Sequence, residues 1–407
     1  MRLLWRSYRL PEYRKRIKER FGFCPYHLDQ CIWIHAVSLG ESIAVTPLIK
    51  ALKELYPQIP ILVTNMTPTG AAHIKTTFGD TVKQVYVPYD LPCFLQRFLK
   101  RTHPLIAIVV ETELWPNLFF VCQKNQIPIF VVNARLSEKS AAGYQRFKGL
   151  TKQMLNNVHT IAVQSQAELQ RFLDLGLESK KAFVSGSIKF DVELPENLIL
   201  KGKALREKLG AGRPVWIAAS THAGEEEIVL AAQKKVCHIF PTALLILVPR
   251  HPDRFNAVFT LAQLQHFRIK KRSANDNDLS TTEIYLGDSV GEMMLFYAAS
   301  DVAFVAGSFA AIGGHNMLEA AVLSKPIVTG PQLHNFAEIS KMLLEKKGMC
   351  KVRDAGELAD TLIKLFKDDK YLKGMGKNAE SVVASNRGSL AKQLAQAKAI
   401  IDVQLNK

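Results

Sequence analysis

No stretch of this chain approaches the ~18 consecutive apolar residues that a membrane-crossing helix requires. The opening MRLLWRSYRLPEYRKRIKER interrupts its short apolar run with charge too early to read as a signal peptide. Cysteine is sparse, with six in 407 residues, at positions 24, 31, 93, 122, 237 and 350. No two form C-x-x-C and none stands at zinc spacing from a histidine. Most lie in apolar stretches, so six free thiols in a reducing compartment are expected. His73, His103, His222 and His334 make no local metal pattern and read as loop or surface groups, although His222 follows a strand and His334 has lining a cleft as its alternative. Asp276-Asn277-Asp278 has the D-x-D form but sits in a polar loop rather than at an apolar strand end, so it reads as surface. No metal site and no cofactor are expected. Internal repeats and low-complexity tracts are absent.

Acidic residues are in deficit, 37 against 53 Lys+Arg, which leaves a net charge of +16. Such a balance favours anionic partners without choosing among phosphates, nucleic acid and an anionic membrane surface. No RNA-recognition motif or basic–aromatic ladder supports the nucleic-acid option. Residues 1–20 hold eight Lys/Arg and two acids around Leu3, Leu4, Trp5 and Tyr8. That segment suits an interfacial membrane contact, and equally a solvated basic helix.

What the chain does contain is a folding composition, 48% apolar and 22% charged, long enough for two domains. Continuous apolar runs recur at 32–37, 61–66, 85–89, 105–111, 129–134 and 160–165, as parallel strands covered on both faces require. Helical patterns lie between them, and Thr46 followed by Pro47 reads as the start of a helix over 47–55. After a polar linker at 191–203 the pattern restarts, with strands at 215–220, 244–249, 284–288, 302–307 and 326–330. Two βαβ arrays predict two doubly wound α/β domains, whose ligands bind beyond the carboxyl ends of the strands.

Five segments stand at such ends. His35-Ala-Val-Ser38-Leu-Gly40-Glu41 follows the first strand; Gly40 permits a tight turn, and Glu41 is placed either as a general base or as an acid at a helix start. Glu111-Thr-Glu113-Leu-Trp115 sets two carboxylates and an indole after another strand, as a site or as helix capping. Lys189, in Gly186-Ser187-Ile188-Lys189-Phe190-Asp191, suits a phosphate or carboxylate, and equally a solvated linker. Arg250, His251 and Arg254 suit a phosphate through forked donors. Last, Ser308 to Glu319 reads as a strand, a glycine-rich loop with Gly313 and Gly314, and a helix whose free N–H groups hold an anion. Asn316 and Glu319 then share one helical face.

Taken in order, HAVSLGES, ETELWPN, NARLS, GSIKFD, ASTHAGEE, VPRHPDRF, GDSVGEMM, GSFAAIGGHNMLEA and GPQLHNF resemble the 3-deoxy-D-manno-octulosonic acid (Kdo) transferases across nearly the whole chain. The resemblance implies a GT-B fold of two Rossmann-like domains facing across a cleft. It places an acceptor domain at 1–195, a nucleotide domain at 204–383, and a segment at 384–407 packing back on the first. It implies inverting transfer of Kdo from CMP-Kdo to a lipid A precursor on the cytoplasmic side of the inner membrane. By position, Glu41 matches the family's base, and Glu111 and Lys189 its transition-state stabilisers. Arg250 and His251, Gly291, Glu292 and Met293, and Asn316, Met317, Leu318 and Glu319 match its CMP-binding segments. Many members begin with a longer apolar anchor; this chain opens at MRLLWRS, so attachment resting more on charge is expected. The remaining alternatives are another GT-B enzyme using a different nucleotide sugar, and a non-catalytic basic RNA-binding protein.

Overall fold

A computed structural model of the protein describes residues 15–276 and 278–407. Leu3, Leu4, Trp5 and Tyr8 lie outside the described residues. The described chain divides into two units: one runs to Asp191 and also takes Asn386–Lys407, the other is Val192–Ser385.

The first unit is built on seven parallel strands: β1 (Cys31–His35), β2 (Ile61–Asn65), β3 (Lys83–Tyr86), β4 (Pro104–Val110), β5 (Ile129–Ala134), β6 (Thr160–Val163) and β7 (Ala182–Val184). Their order across the sheet is β3-β2-β1-β4-β5-β6-β7. Side chains alternate between the faces, so each strand feeds two cores. Trp33, Leu62, Val109 and Val131 pack with Phe98, Phe119 and Phe172 on one side. Ile32, Ile34, Val63, Ile108 and Val132 pack with Leu48, Leu52, Ile400 and Ile401 on the other. Ile400 and Ile401 belong to helix Ser389–Leu405, so the end of the chain completes the first unit's second core.

The second unit repeats the plan with β8 (Val215–Thr221), β9 (Leu244–Pro249), β10 (Ile269–Lys271), β11 (Ile284–Leu286), β12 (Val302–Val305), β13 (Ile327–Thr329) and β14 (Met349–Lys351), in the order β10-β11-β9-β8-β12-β13-β14. Each unit buries one tryptophan completely and satisfies its indole N–H. Trp33 donates to Thr64 Oγ1 at 2.9 Å and Trp216 to Gln233 Oε1 at 2.7 Å.

Several expectations need correction. The helix after β1 spans Leu39–Leu55, so Gly40 is helical and Pro47 lies inside the helix. Ser38 accepts the Glu41 N–H as the cap, and the Thr46 hydroxyl donates to the Ser42 carbonyl instead of starting a helix. The pair Ser38 and Glu41 is the stronger start signal, because Ser-x-x-Glu caps reciprocally. Residues 198–203 of the expected linker form the first turns of helix Leu198–Leu209. Strands β7, β10 and β14 were not expected; each has three residues and at least one position open to solvent, too little for a pattern to emerge.

Candidate active site

Both sheets have a central point at which the strand order reverses, between β1 and β4 in the first and between β8 and β12 in the second. Loops leaving neighbouring strands there diverge to opposite faces and open a crevice. Glu41 and Glu111 follow the first pair; His222 and the glycine-rich loop follow the second.

Glu41 is buried in the first turn of its helix. Its Oε2 accepts the Val37 N–H and its Oε1 the Ser38 hydroxyl, both at 2.7 Å. The carboxylate is therefore both a cap and a base candidate, two roles the sequence set against each other. Burial pushes its pKa up to about 7, and the charges of Glu113 and Glu111 add to the rise, while the bonds from Ser38 and Val37 oppose it. Glu113 is also raised by burial and accepts the Trp115 indole N–H at 2.7 Å. Trp115 packs edge-on to His35 with ring centroids 4.8 Å apart. Burial pulls His35 down to about 3, so it is a neutral ring held by Thr64 Oγ1 at 2.9 Å.

Glu111 and Lys189 meet in an ion pair of 3.4 Å, half-buried on both sides. Glu111 stands in the left-handed region at φ 59°, a costly conformation for a side chain with a Cβ. Lys189 is held from both flanks. Ile188 donates its N–H to Asn133 Oδ1 at 3.1 Å. The Asp191 carboxylate takes the N–H groups of Gly388 and Leu390, each at 2.7 Å. Asn133 is fully buried, has φ 52°, and receives the Gln393 side chain from the last helix through its own N–H. The sequence marked NARLS without giving Asn133 a task.

In the second unit, the Arg250 guanidinium after β9 has no hydrogen-bond or ion-pair partner among the described residues, whereas Arg254 is bound to the fully buried Glu226 at 3.0 Å. His222 and His315 bring their Nε2 atoms to 2.8 Å, so one donates and the other accepts. His315 is drawn to about 4 by burial and the nearby His222, Arg250 and His251. His251 meets the His222 ring edge-on at 5.5 Å.

The glycine-rich segment departs from expectation. Its helix, Leu318–Ala321, is only four residues long. The N–H groups of Gly307, Ser308 and Phe309 are not free; all three donate to the Glu225 carboxylate, at 2.8, 3.0 and 2.9 Å. Leu318 N–H is capped by Asn316 Oδ1, and Asn316 Nδ2 reaches Glu319 Oε1 at 3.2 Å. Burial raises the Glu319 pKa. Met317 and Leu318 are fully buried in the core, so in this segment Asn316 and Glu319 are the residues with surface left for a ligand. Gly291 turns at φ 87°, and the Glu292 carboxylate is committed to Arg272 and Ser289, which leaves backbone as the contact this segment offers. Asp276 pairs with Lys270, and Asp278 accepts from Ser280.

The chain aligns with relatives along this whole frame. A protein named 3-deoxy-D-manno-octulosonic acid transferase from Haemophilus influenzae is 40% identical over 95% of this chain and 92% of its own length. A protein of the same name from Bordetella pertussis is 32% identical over 91% of this chain and 87% of its own. The family described as 3-Deoxy-D-manno-octulosonic-acid transferase (kdotransferase) matches residues 15–192. The chain belongs to the Kdo transferase family. Residues 244–382 match the family described as Glycosyl transferases group 1. Among solved structures, Anabaena Alr3699/HepE in complex with UDP superposes with a TM-score of 0.56 at 14% identity, covering 91% of this chain and 99% of that one. The fold of this Kdo transferase family member is GT-B, two doubly wound parallel-sheet units.

Proposed function

We propose that the chain transfers Kdo from CMP-Kdo to a lipid A precursor, with the acceptor taken by the first unit and the nucleotide by the second. The observation that carries the mechanism is Glu41, a carboxylate at the first switch point whose pKa stands at about 7. A base poised near the working pH is ionised often enough to act and basic enough to take a proton. Glu41 accepts the proton of an acceptor hydroxyl as its oxygen attacks the anomeric carbon of Kdo. The anomeric carbon–oxygen bond breaks and CMP departs with the electron pair, so the configuration inverts. Charge builds on the phosphate, and Arg250, His251 and the main chain at Gly291–Met293 receive it, with the segment Asn316–Glu319 completing the nucleotide site. The Glu111–Lys189 pair holds a positive charge and a carboxylate at fixed positions beside the reaction.

The direct test is a product mass spectrum from the full chain, CMP-Kdo and a lipid A precursor. A mass gain of one or more Kdo units is expected. No transfer from CMP-Kdo together with turnover of a UDP-sugar would favour the different GT-B reading.

The rate should also follow Glu41's ionisation. Below about 7 the carboxyl holds its proton and cannot accept another, so kcat/KM should fall roughly tenfold per pH unit there. A profile flat between pH 5 and 8 contradicts that assignment. Lys189→Met, which keeps length and loses charge, should lower kcat on the order of 10²-fold, as losing one fixed electrostatic stabiliser does. Wild-type turnover in that variant would reduce Lys189 to a surface ion pair.

An anionic membrane surface is the proposed setting, since the acceptor is a lipid. Among the described residues no helix is long and apolar enough to cross a membrane. Not every basic residue of 1–20 is available for such contact. Arg20 is buried, donating to the Met66 carbonyl at 2.9 Å, and Arg16 is engaged with Glu19 and Gln84. The contact therefore rests on the basic residues ahead of them, each worth about 1 kcal/mol at an anionic surface. Removing residues 1–14 should abolish sedimentation with anionic vesicles at low salt; unchanged sedimentation would end the idea.

A further inference from the structure

Glu225 opens the helix after β8 and is 1% exposed. Its Oε2 receives the N–H groups of Gly307 and His222 at 2.8 and 3.1 Å, and its Oε1 those of Ser308 and Phe309 at 3.0 and 2.9 Å. Four donors fill the roughly four lone-pair sites of a carboxylate. Three of them are consecutive amides turned inward by Gly307 at φ 71°. Such a run is an anion cradle of the kind that holds phosphates. It stands at the end of β12, beside β8, at the second unit's switch point, where a doubly wound fold places its ligand.

We propose that Glu225 is a specificity determinant: it fills with the protein's own negative charge the cradle that a second phosphate would take, so this unit accepts nucleoside monophosphate sugars and rejects nucleoside diphosphate sugars. The inference rests on the reading of this unit as the nucleotide site. Three observations converge on it. The amides are already used, so a second phosphate gains no donors from them. The cation supply fits one phosphate, because Arg250 is uncommitted among the described residues while Arg254 is held by Glu226. The loop also has no room to retreat and form another cradle. A Cβ at Gly330 would stand 2.7 Å from the Ser308 main chain, and one at Gly307 would stand 2.7 Å from the His315 ring. A second phosphate would thus meet a fixed like charge in a desolvated place, which is how a site discriminates by repulsion.

Calorimetry on the full chain with CMP and with CDP tests this, in the wild type and in Glu225→Gln. Glutamine keeps an oxygen for the amides and removes the charge. The wild type should bind CMP at least ~10-fold more tightly than CDP, the scale of one modest like-charge penalty. Glu225→Gln should narrow that ratio about tenfold, chiefly by gaining affinity for CDP. Glu225→Asp, which retains the charge, should keep the wild-type ratio. Equal wild-type affinity for the two nucleotides overturns the proposal whatever the variants do. So does a folded Glu225→Gln with the wild-type ratio. Binding of neither nucleotide to the wild type instead removes the nucleotide-site reading, and this one with it.

Discussion

Glu41→Gln should abolish transfer while the chain folds and binds CMP normally. Glutamine fits the same capping geometry: its carbonyl accepts the Val37 N–H, and its amide donates to the Ser38 oxygen. What it loses is the ability to take a proton, typically worth ~10²–10⁴ in rate. Stability supplies an independent readout. The Glu41 carboxyl has a folded pKa of about 7 against 4.5 for the ordinary group, so the folded state favours the proton. That contribution is fully present below pH 4.5 and is lost as pH rises through about 7, where a buried charge must form. The variant carries no such charge and should gain stability over the wild type at pH 8, on the order of 2 kcal/mol. A variant that melts higher at pH 8 and transfers nothing identifies the base. One that keeps more than about a tenth of wild-type turnover moves the role elsewhere, to Glu111 first. Glu113→Gln should be milder, since the amide oxygen still accepts the Trp115 N–H.

Arg250→Ala should weaken CMP binding by about 2–3 kcal/mol, roughly 30- to 150-fold, the range for a hydrogen bond to a charged group that binding desolvates. The expectation is large because Arg250 is the guanidinium in its loop with no hydrogen-bond or ion-pair partner among the described residues; its neighbour Arg254 is spent on Glu226. Removing Arg250 therefore breaks no hydrogen bond or ion pair among the described residues and takes away a full charge once the nucleotide covers it. Calorimetry at two salt concentrations measures this. Unchanged affinity, or a loss accompanied by a lower melting temperature, would mean that Arg250 does not hold the phosphate.

Much of this was legible in the sequence because the signals were local. Strands covered on both faces are continuous apolar runs, and residues just beyond them are the ones a parallel sheet presents to a ligand, which is how Glu41, Glu111 and Arg250 came into view. Contacts between distant segments were not legible. Glu225 reads in ASTHAGEE as an acid at a helix start, and nothing nearby announces the amides of 307–309 that it binds. Asn133 sits mid-sequence in a strand, yet its role comes from Ile188 and Gln393. The misplaced helix start at Thr46 had a different cause. A proline after threonine is a strong prior, but the reciprocal cap of Ser38 with Glu41 and the packing of Val45, Leu48 and Ile49 against the sheet outweigh the one hydrogen bond that Pro47 removes.

The return of helix Ser389–Leu405 to the first unit has a consequence for how the protein is made. Ile400 and Ile401 cover the sheet face that carries Ile32, Ile34, Ile106 and Ile108. The whole of Val192–Ser385 is synthesised before those residues leave the ribosome. At about 5–20 residues per second, the emerging first sheet waits on the order of 10–40 s with part of that face uncovered. The second unit, continuous in sequence, can close its own core during that interval. The half of the enzyme that holds the proposed base is thus begun first and finished last, with part of its apolar face uncovered for that time.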